Sequence, residues 1–137
     1  MKAVYPVIFT QTDTNVLVEV PDLEILTEGT DIADAVEMAR DAIGVTGISM
    51  QDHNEEIPQA TDIRKIDVNT GTFFDAGKSI VSLVDIDFDA YRRKIDMKAV
   101  RRNVTLPNWL NTAAEAAHIN VSKLLQDALM EKLGVSR

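Results

Sequence analysis

The stretch Val100–Leu133, VRRNVTLPNWLNTAAEAAHINVSKLLQDALMEKL, restricts the possible folds more than any other part of the chain. Its first residues alternate, so Val100, Val104 and Leu106 share one face of an extended strand and Arg101, Asn103 and Thr105 share the other. Pro107 stops that strand and suits the start of a helix, where its missing N–H costs nothing. A first helix is predicted through Trp109, Leu110, Ala113, Ala114 and Ala117, followed by a turn at His118–Ile119. Asn120 then caps a second helix that carries Leu124, Leu125, Ala128, Leu129 and Leu133 at helical spacing, and Gly134 ends it. One strand and two short helices cannot bury a core alone. Two copies can, if their strands pair into a ribbon.

This stretch resembles a ribbon-helix-helix DNA-binding domain. A two-stranded antiparallel ribbon fits the DNA major groove. Val104 and Leu106 would lie on the helices, while Arg101, Asn103 and Thr105 would face base edges. Arginine suits guanine, asparagine suits adenine, and threonine offers a hydroxyl and a methyl. Arg102 joins the predicted DNA contacts. So do Asn120, Val121 and Ser122, whose backbone N–H groups at a helix start suit a phosphate, with Lys123 beside them. Trp109, next to Leu110, is expected in the core rather than stacked on a base. The competing reading is an ordinary β-α-α tail packed on its own domain.

Charge divides the chain in a way that supports two roles. Residues 1–89 hold 5 basic and 18 acidic residues, a net −13, whereas residues 90–102 hold 6 basic and 1 acidic, a net +5. Residues 103–137 are neutral, with 3 of each, so the total of −8 conceals a basic joint that can face phosphate. Arg92, Arg93 and Lys94, continued by Lys98, Arg101 and Arg102, are expected along the DNA backbone. Cysteine is absent, which excludes a disulfide framework, a thiolate metal site and a cysteine nucleophile. No apolar run has membrane-spanning length and MKAVYPVIF lacks a signal-cleavage pattern, so a cytoplasmic protein is expected.

The N-terminal part reads as a small α+β domain. Met1–Gln11 is a predicted strand in which Pro6 points to a sheet edge or a strand start. Thr12–Asn15 is a turn, Val16–Val20 a second strand ended by Pro21–Asp22, and Leu23–Thr27 a short third strand. Thr30 or Asp31 caps a helix from Ile32, with Ile32, Val36, Ala39 and Ile43 on one face. Gly47 continues that series and would permit close backbone approach; alternatively the helix ends near Gly44 and Gly47. Gln51–Thr61 is a polar loop, Ile63–Val68 a brief strand or irregular, and Ser79–Phe88 the strongest strand. Asp89 is the expected cap of a short helix, AYRRKI.

Taken together, VPDLEILTEGTDIADAVEMARDAI, the Glu55-Glu56-Ile57-Pro58 loop, SLVDIDFDAYRRK and the C-terminal stretch resemble the HicB antitoxins of bacterial toxin–antitoxin pairs. The resemblance covers nearly the whole chain. It implies a partial ribonuclease-H-like or double-stranded-RNA-binding-like N-terminal fold, and a C-terminal ribbon-helix-helix dimer on the operator of its own operon. It also implies a partner, a small basic HicA-type ribonuclease that the antitoxin binds and blocks. The expected domains are 1–89 for toxin neutralisation, 90–99 as basic linker or short helix, and 100–137 for DNA binding and dimerisation, with pairing of dimers into tetramers left open. The toxin-contact residues are not identifiable from the sequence beyond the acidic N-terminal domain.

No catalytic residue, cofactor or metal ligand is assigned. Asp85, Asp87 and Asp89 alternate and could gather a hard cation, but Ala90 and Asp96 break the calcium-loop pattern; a solvated face is the preferred reading. His53 and His118 stand in polar or turn contexts with no nucleophile motif around them. Asp13 and Asp22 could imitate ribonuclease-H carboxylates without establishing four clustered acids. The alternative function is a stand-alone ribbon-helix-helix regulator whose N-terminal domain senses a small ligand, which requires an apolar pocket with convergent polar groups.

Overall fold

The computed structural model describes residues 1–97 and 99–135. The chain is mixed α+β and divides into two compact units, Met1–Lys98 and Ala99–Arg137. Unit one is built on β1 (Lys2–Gln11), β2 (Val16–Val20), β3 (Ile25–Gly29) and β4 (Lys78–Asp87), with helices α1 (Ile32–Asp52) and α2 (Phe88–Ile95). The strands form one antiparallel sheet in the order β3-β2-β1-β4.

Alternation along the strands sorts the side chains into two faces. Tyr5 pairs with Val84 and Phe9 with Val18, and these lie with Val7, Val16, Val20 and Ile86 in one buried core that packs with α1. From α1 the core receives Ala35, Ala39, Ile43 and Ile48. Ile32, expected on this face, is instead about half exposed; the buried series begins at Ala35, one turn into the helix. On the other sheet face Ile8 and Thr10 are buried, and Thr10 Oγ1 shares a hydrogen bond of 2.7 Å with Ser79. The segment between α1 and β4 is tied to the helix face by Tyr5, whose hydroxyl donates to the Pro58 carbonyl. It is tied to the opposite face by Glu19, which accepts from the Thr72 N–H and hydroxyl, both at 2.8 Å.

Pro6 lies inside β1, which is an internal strand, not an edge. It is tolerated because β1 meets β2 only from Ile8 onward, so its neighbour there is β4 alone. The Phe88 N–H donates to the Met1 carbonyl, and counting alternately from that bond makes Pro6–Leu83 a non-hydrogen-bonded pair. The missing N–H of Pro6 therefore faces the side that β2 does not reach.

The structure also settles or shifts other boundaries of the sequence reading. A 3-10 turn over Pro21–Leu23 puts Glu24 at φ 54°, and β3 resumes two residues later than expected. Residues 63–68 form no strand; the region holds 3-10 turns at Ile63–Lys65 and Val68–Thr70. Asp31 caps α1 by accepting from the Asp34 N–H, while Asp34 accepts in return from the Thr30 N–H, both at 2.8 Å. α1 does not end at its glycines but runs 21 residues to Asp52, so the polar loop begins later than Gln51. Asp87, not Asp89, caps α2, accepting from the N–H groups of Asp89 and Ala90.

The glycines of α1 are explained by what lies on them. A Cβ at Gly44 would stand 2.7 Å from Tyr91 Cγ, and one at Gly47 would overlap the Phe88 ring. The buried rings of α2 thus rest on α1 backbone, and residues 88–95 are part of unit one rather than a free joint.

Unit two contains α3 (Asn108–Ala116) and α4 (Val121–Leu133). Pro107 stands at the N-cap of α3, one position earlier than expected. His118 turns the chain at φ 55°, Asn120 caps α4 by accepting from the Lys123 N–H at 3.0 Å, and Gly134 closes it at φ 69°. The predicted strand over residues 100–106 is not formed in the single chain. A strand needs a hydrogen-bonded neighbour, and this segment has none among the described residues.

Candidate functional site

Unit two presents an apolar surface of a kind that a finished domain does not leave in water. No described residue between 99 and 135 is buried. Leu124 and Leu129 of α4 are more than half exposed, and Trp109 is 71 % exposed, so Trp109 is not a core residue of this chain. Leu110, Leu125 and Leu133 are exposed as well. Helices of 9 and 13 residues hold little structure in water by themselves, so their apolar faces need a covering.

The residues selected for nucleic acid divide by position. Arg101, Arg102, Asn103 and Thr105 lie in the exposed segment before α3, which has no regular secondary structure. In an extended strand, alternation would set Arg102 on the row of Val104 and Leu106 and not with Arg101. At the start of α4 the Asn120 side chain is occupied by its own cap. The first-turn N–H groups of Val121 and Ser122 are left outward, as helix geometry requires. Arg92 is committed elsewhere, donating to Asp52 at 2.9 Å and to Gln51 at 3.0 Å within unit one. Arg93 and Lys94 are exposed on α2, and Lys98 lies outside the described residues.

The carboxylates considered as a cation site have separate protein partners. Asp85 accepts from Arg40 at 2.9 Å, and this guanidinium holds its carboxyl below the usual carboxylate range. Asp87 caps α2, and the Ala90 N–H is the chief cause of its lowered pKa. Asp89 pairs with the amino terminus of Met1. Among the described residues no group of three potential ligands converges. Asp22 accepts from the Thr61 N–H and hydroxyl, Asp13 sits in the β1–β2 turn, and His53 contacts the Ser49 carbonyl at the end of α1. His118 belongs to the α3–α4 turn.

Unit one contains a groove of about 380 Å³ lined by Asp34, Glu37, Met38, Arg40, Asp41 and Tyr91, with Lys94 at its rim. Tyr91 donates to Asp41 there, and burial together with this carboxylate pushes its pKa up to about 12. Sequence reading passed over Arg40, Asp41 and Tyr91, since partners 45 and 50 positions apart leave no local pattern.

The family profile described as the HicB-like antitoxin of bacterial toxin–antitoxin systems matches residues 5–129. The chain belongs to this family. No curated protein matches it. Among solved structures, this HicB-like chain is similar to a toxin–antitoxin complex from Streptococcus pneumoniae. That match has 26 % identity and a TM-score of 0.63, covering 96 % of this chain and 99 % of that one. The HicB antitoxin of Burkholderia pseudomallei shares its fold at 21 % identity and a TM-score of 0.51, covering 96 % and 97 % of the two chains. A complex of HicA3 and HicB3 matches at 21 % identity and a TM-score of 0.50, over 61 % of this chain and 98 % of that chain. Among the described residues no helix is long and apolar enough to cross a membrane.

Proposed function

We propose that this chain is the antitoxin of a pair, and that unit one binds and blocks a small basic HicA-type ribonuclease while unit two binds operator DNA. The observation that carries the reading is the family match across residues 5–129. Complexes of toxin with antitoxin among the similar structures support the partner class. Unit one holds 9 basic and 19 acidic residues, a net −10, which favours a cationic partner over nucleic acid. Its N-terminal fold is proposed as the partial ribonuclease-H-like or double-stranded-RNA-binding-like type, serving as a binding surface without catalysis.

For unit two we propose a homodimeric ribbon-helix-helix spanning residues 100–137. The exposed apolar faces of α3 and α4 support it, because a second copy supplies the core that one copy lacks. In that dimer residues 100–106 pair with their counterpart, and Arg101, Asn103 and Thr105 face the bases. Arg102, the α4 start at Asn120–Ser122, and Lys123 hold phosphate. Binding at its own operator would make the antitoxin a repressor of the operon. The ligand-sensing regulator is not favoured: the groove in unit one is lined mainly by charged side chains and lies open to water.

The deciding experiment is co-purification with the small protein encoded beside the gene, followed by promoter binding with and without it. A stable complex that suppresses the partner's ribonuclease activity and retards promoter DNA is expected. Promoter binding with no such partner would transfer the reading to a stand-alone regulator.

A further inference from the structure

The sheet of unit one has two free edges, and they differ. β3 is five residues long, and its Glu28 is held by the Asn15 amide at 2.7 Å. β4 is ten residues long, carries no proline, and pairs with β1 along its whole length without a bulge. Natural sheets blunt such long edges or use them.

The geometry decides which part of the β4 edge is open. Alternation from the Phe88–Met1 bond directs the backbone of Ile80, Ser82 and Val84 towards β1 and that of Ser79, Val81, Leu83 and Asp85 away from it. Arg40 confirms the phase independently. Its Nε donates to the Asp85 carbonyl at 3.1 Å while Nη2 holds the Asp85 carboxylate, closing the edge at that end. From Ser79 to Leu83 no described group hydrogen-bonds to the outward backbone. The flanking side chains are apolar: Ile80 is 59 % and Leu83 52 % exposed. Ile80 also joins Phe9, Val16 and Ile32 around a notch of about 230 Å³ beside the edge.

We infer that the β4 edge from Lys78 to Leu83 receives one extended strand of the cationic toxin-class partner, with an apolar side chain of that strand seated in the Phe9–Ile32–Ile80 notch. The inference rests on the antitoxin reading above. Main-chain bonding supplies affinity in this mode, and the notch supplies selectivity. The charge of unit one selects the occupant. A second copy at the same edge would bring two units of net −10 together, whereas a basic partner is drawn to it.

The test is residue-resolved amide exchange on the full chain, alone and with the neighbour-encoded small protein. Exchange at Ser79, Val81 and Leu83 is expected to slow by at least about tenfold in the complex, while Ile80 and Ser82, already bonded to β1, change less. Ile80→Lys and Leu83→Lys are each expected to weaken capture by about tenfold, the effect of losing one good apolar contact. Both side chains are exposed, so neither change unpacks the core. Leu26→Lys, exposed on β3, should leave capture as it is. Wild-type binding without protection at these three amides, or with full affinity in both β4 variants, would overturn the proposal. A β4-dependent rise in the mass of the free chain that the partner does not reverse would overturn it too, by giving the edge to a second copy. Failure of the wild-type chain to bind at all sinks the antitoxin reading itself.

Discussion

Gly47 shows how one missing side chain sets a helix contact. The Phe88 ring is fully buried against it, so a methyl group has nowhere to go. Gly47→Ala gains about 1 kcal/mol of helix propensity but is expected to lose about 1–3 kcal/mol to overpacking. Urea unfolding should show a net loss of stability; a more stable variant would mean that α2 can lift from α1 without cost. Tyr91 gives a second test. Its folded pKa is raised to about 12 from 10.0, so its contribution to stability is complete below pH 10 and is lost as pH rises from 10 to about 12. Tyr5, the other of the two tyrosines, is raised by burial and by Asp22. Tyrosinate absorbance in the folded protein should therefore appear late, and a rise centred near 10 would show that the Tyr91–Asp41 bond does not persist.

At the scale of elements, α3 and α4 are capped helices without a core. Leu124→Asp places a carboxylate on the apolar face of α4 and is expected to dissociate the proposed dimer, since an unpaired buried charge is costly. Sedimentation should report a monomer; an unchanged dimer would place association in unit one. Arg101→Ala should weaken promoter binding by about 1–3 kcal/mol and relax base preference at one position, which a gel-shift series on substituted operators reads directly. Equal affinity and preference would remove the ribbon from the bases. The caps at Asn120 and Gly134 and the spacing of leucines were legible because each is a local rule. The strand at residues 100–106 was legible only as a potential, because its hydrogen bonds would come from the second copy proposed above.

For the whole molecule, the division into an acidic unit and a unit with a net +2 predicts separable functions. Leu124→Asp should lose DNA binding and retain the toxin, because its substitution lies outside unit one. Loss of both activities in a folded variant would show that the toxin reads the dimer rather than unit one. Promoter affinity should fall steeply with salt as phosphate contacts release counterions.

Periodicity, caps and charge by themselves determined the α+β class, β2 to the residue, the two helices of unit two and the split between acidic and basic parts. These depend on interactions within a few positions of each residue or on simple summation. Tertiary structure alone decided that Pro6 lies inside an internal strand, that α1 runs through its glycines, and that Asp85 and Arg92 are spent on Arg40 and Asp52. It also decided which sheet edge stays open. Each of those outcomes depends on groups distant in sequence meeting in space, and neither propensity nor spacing carries that information.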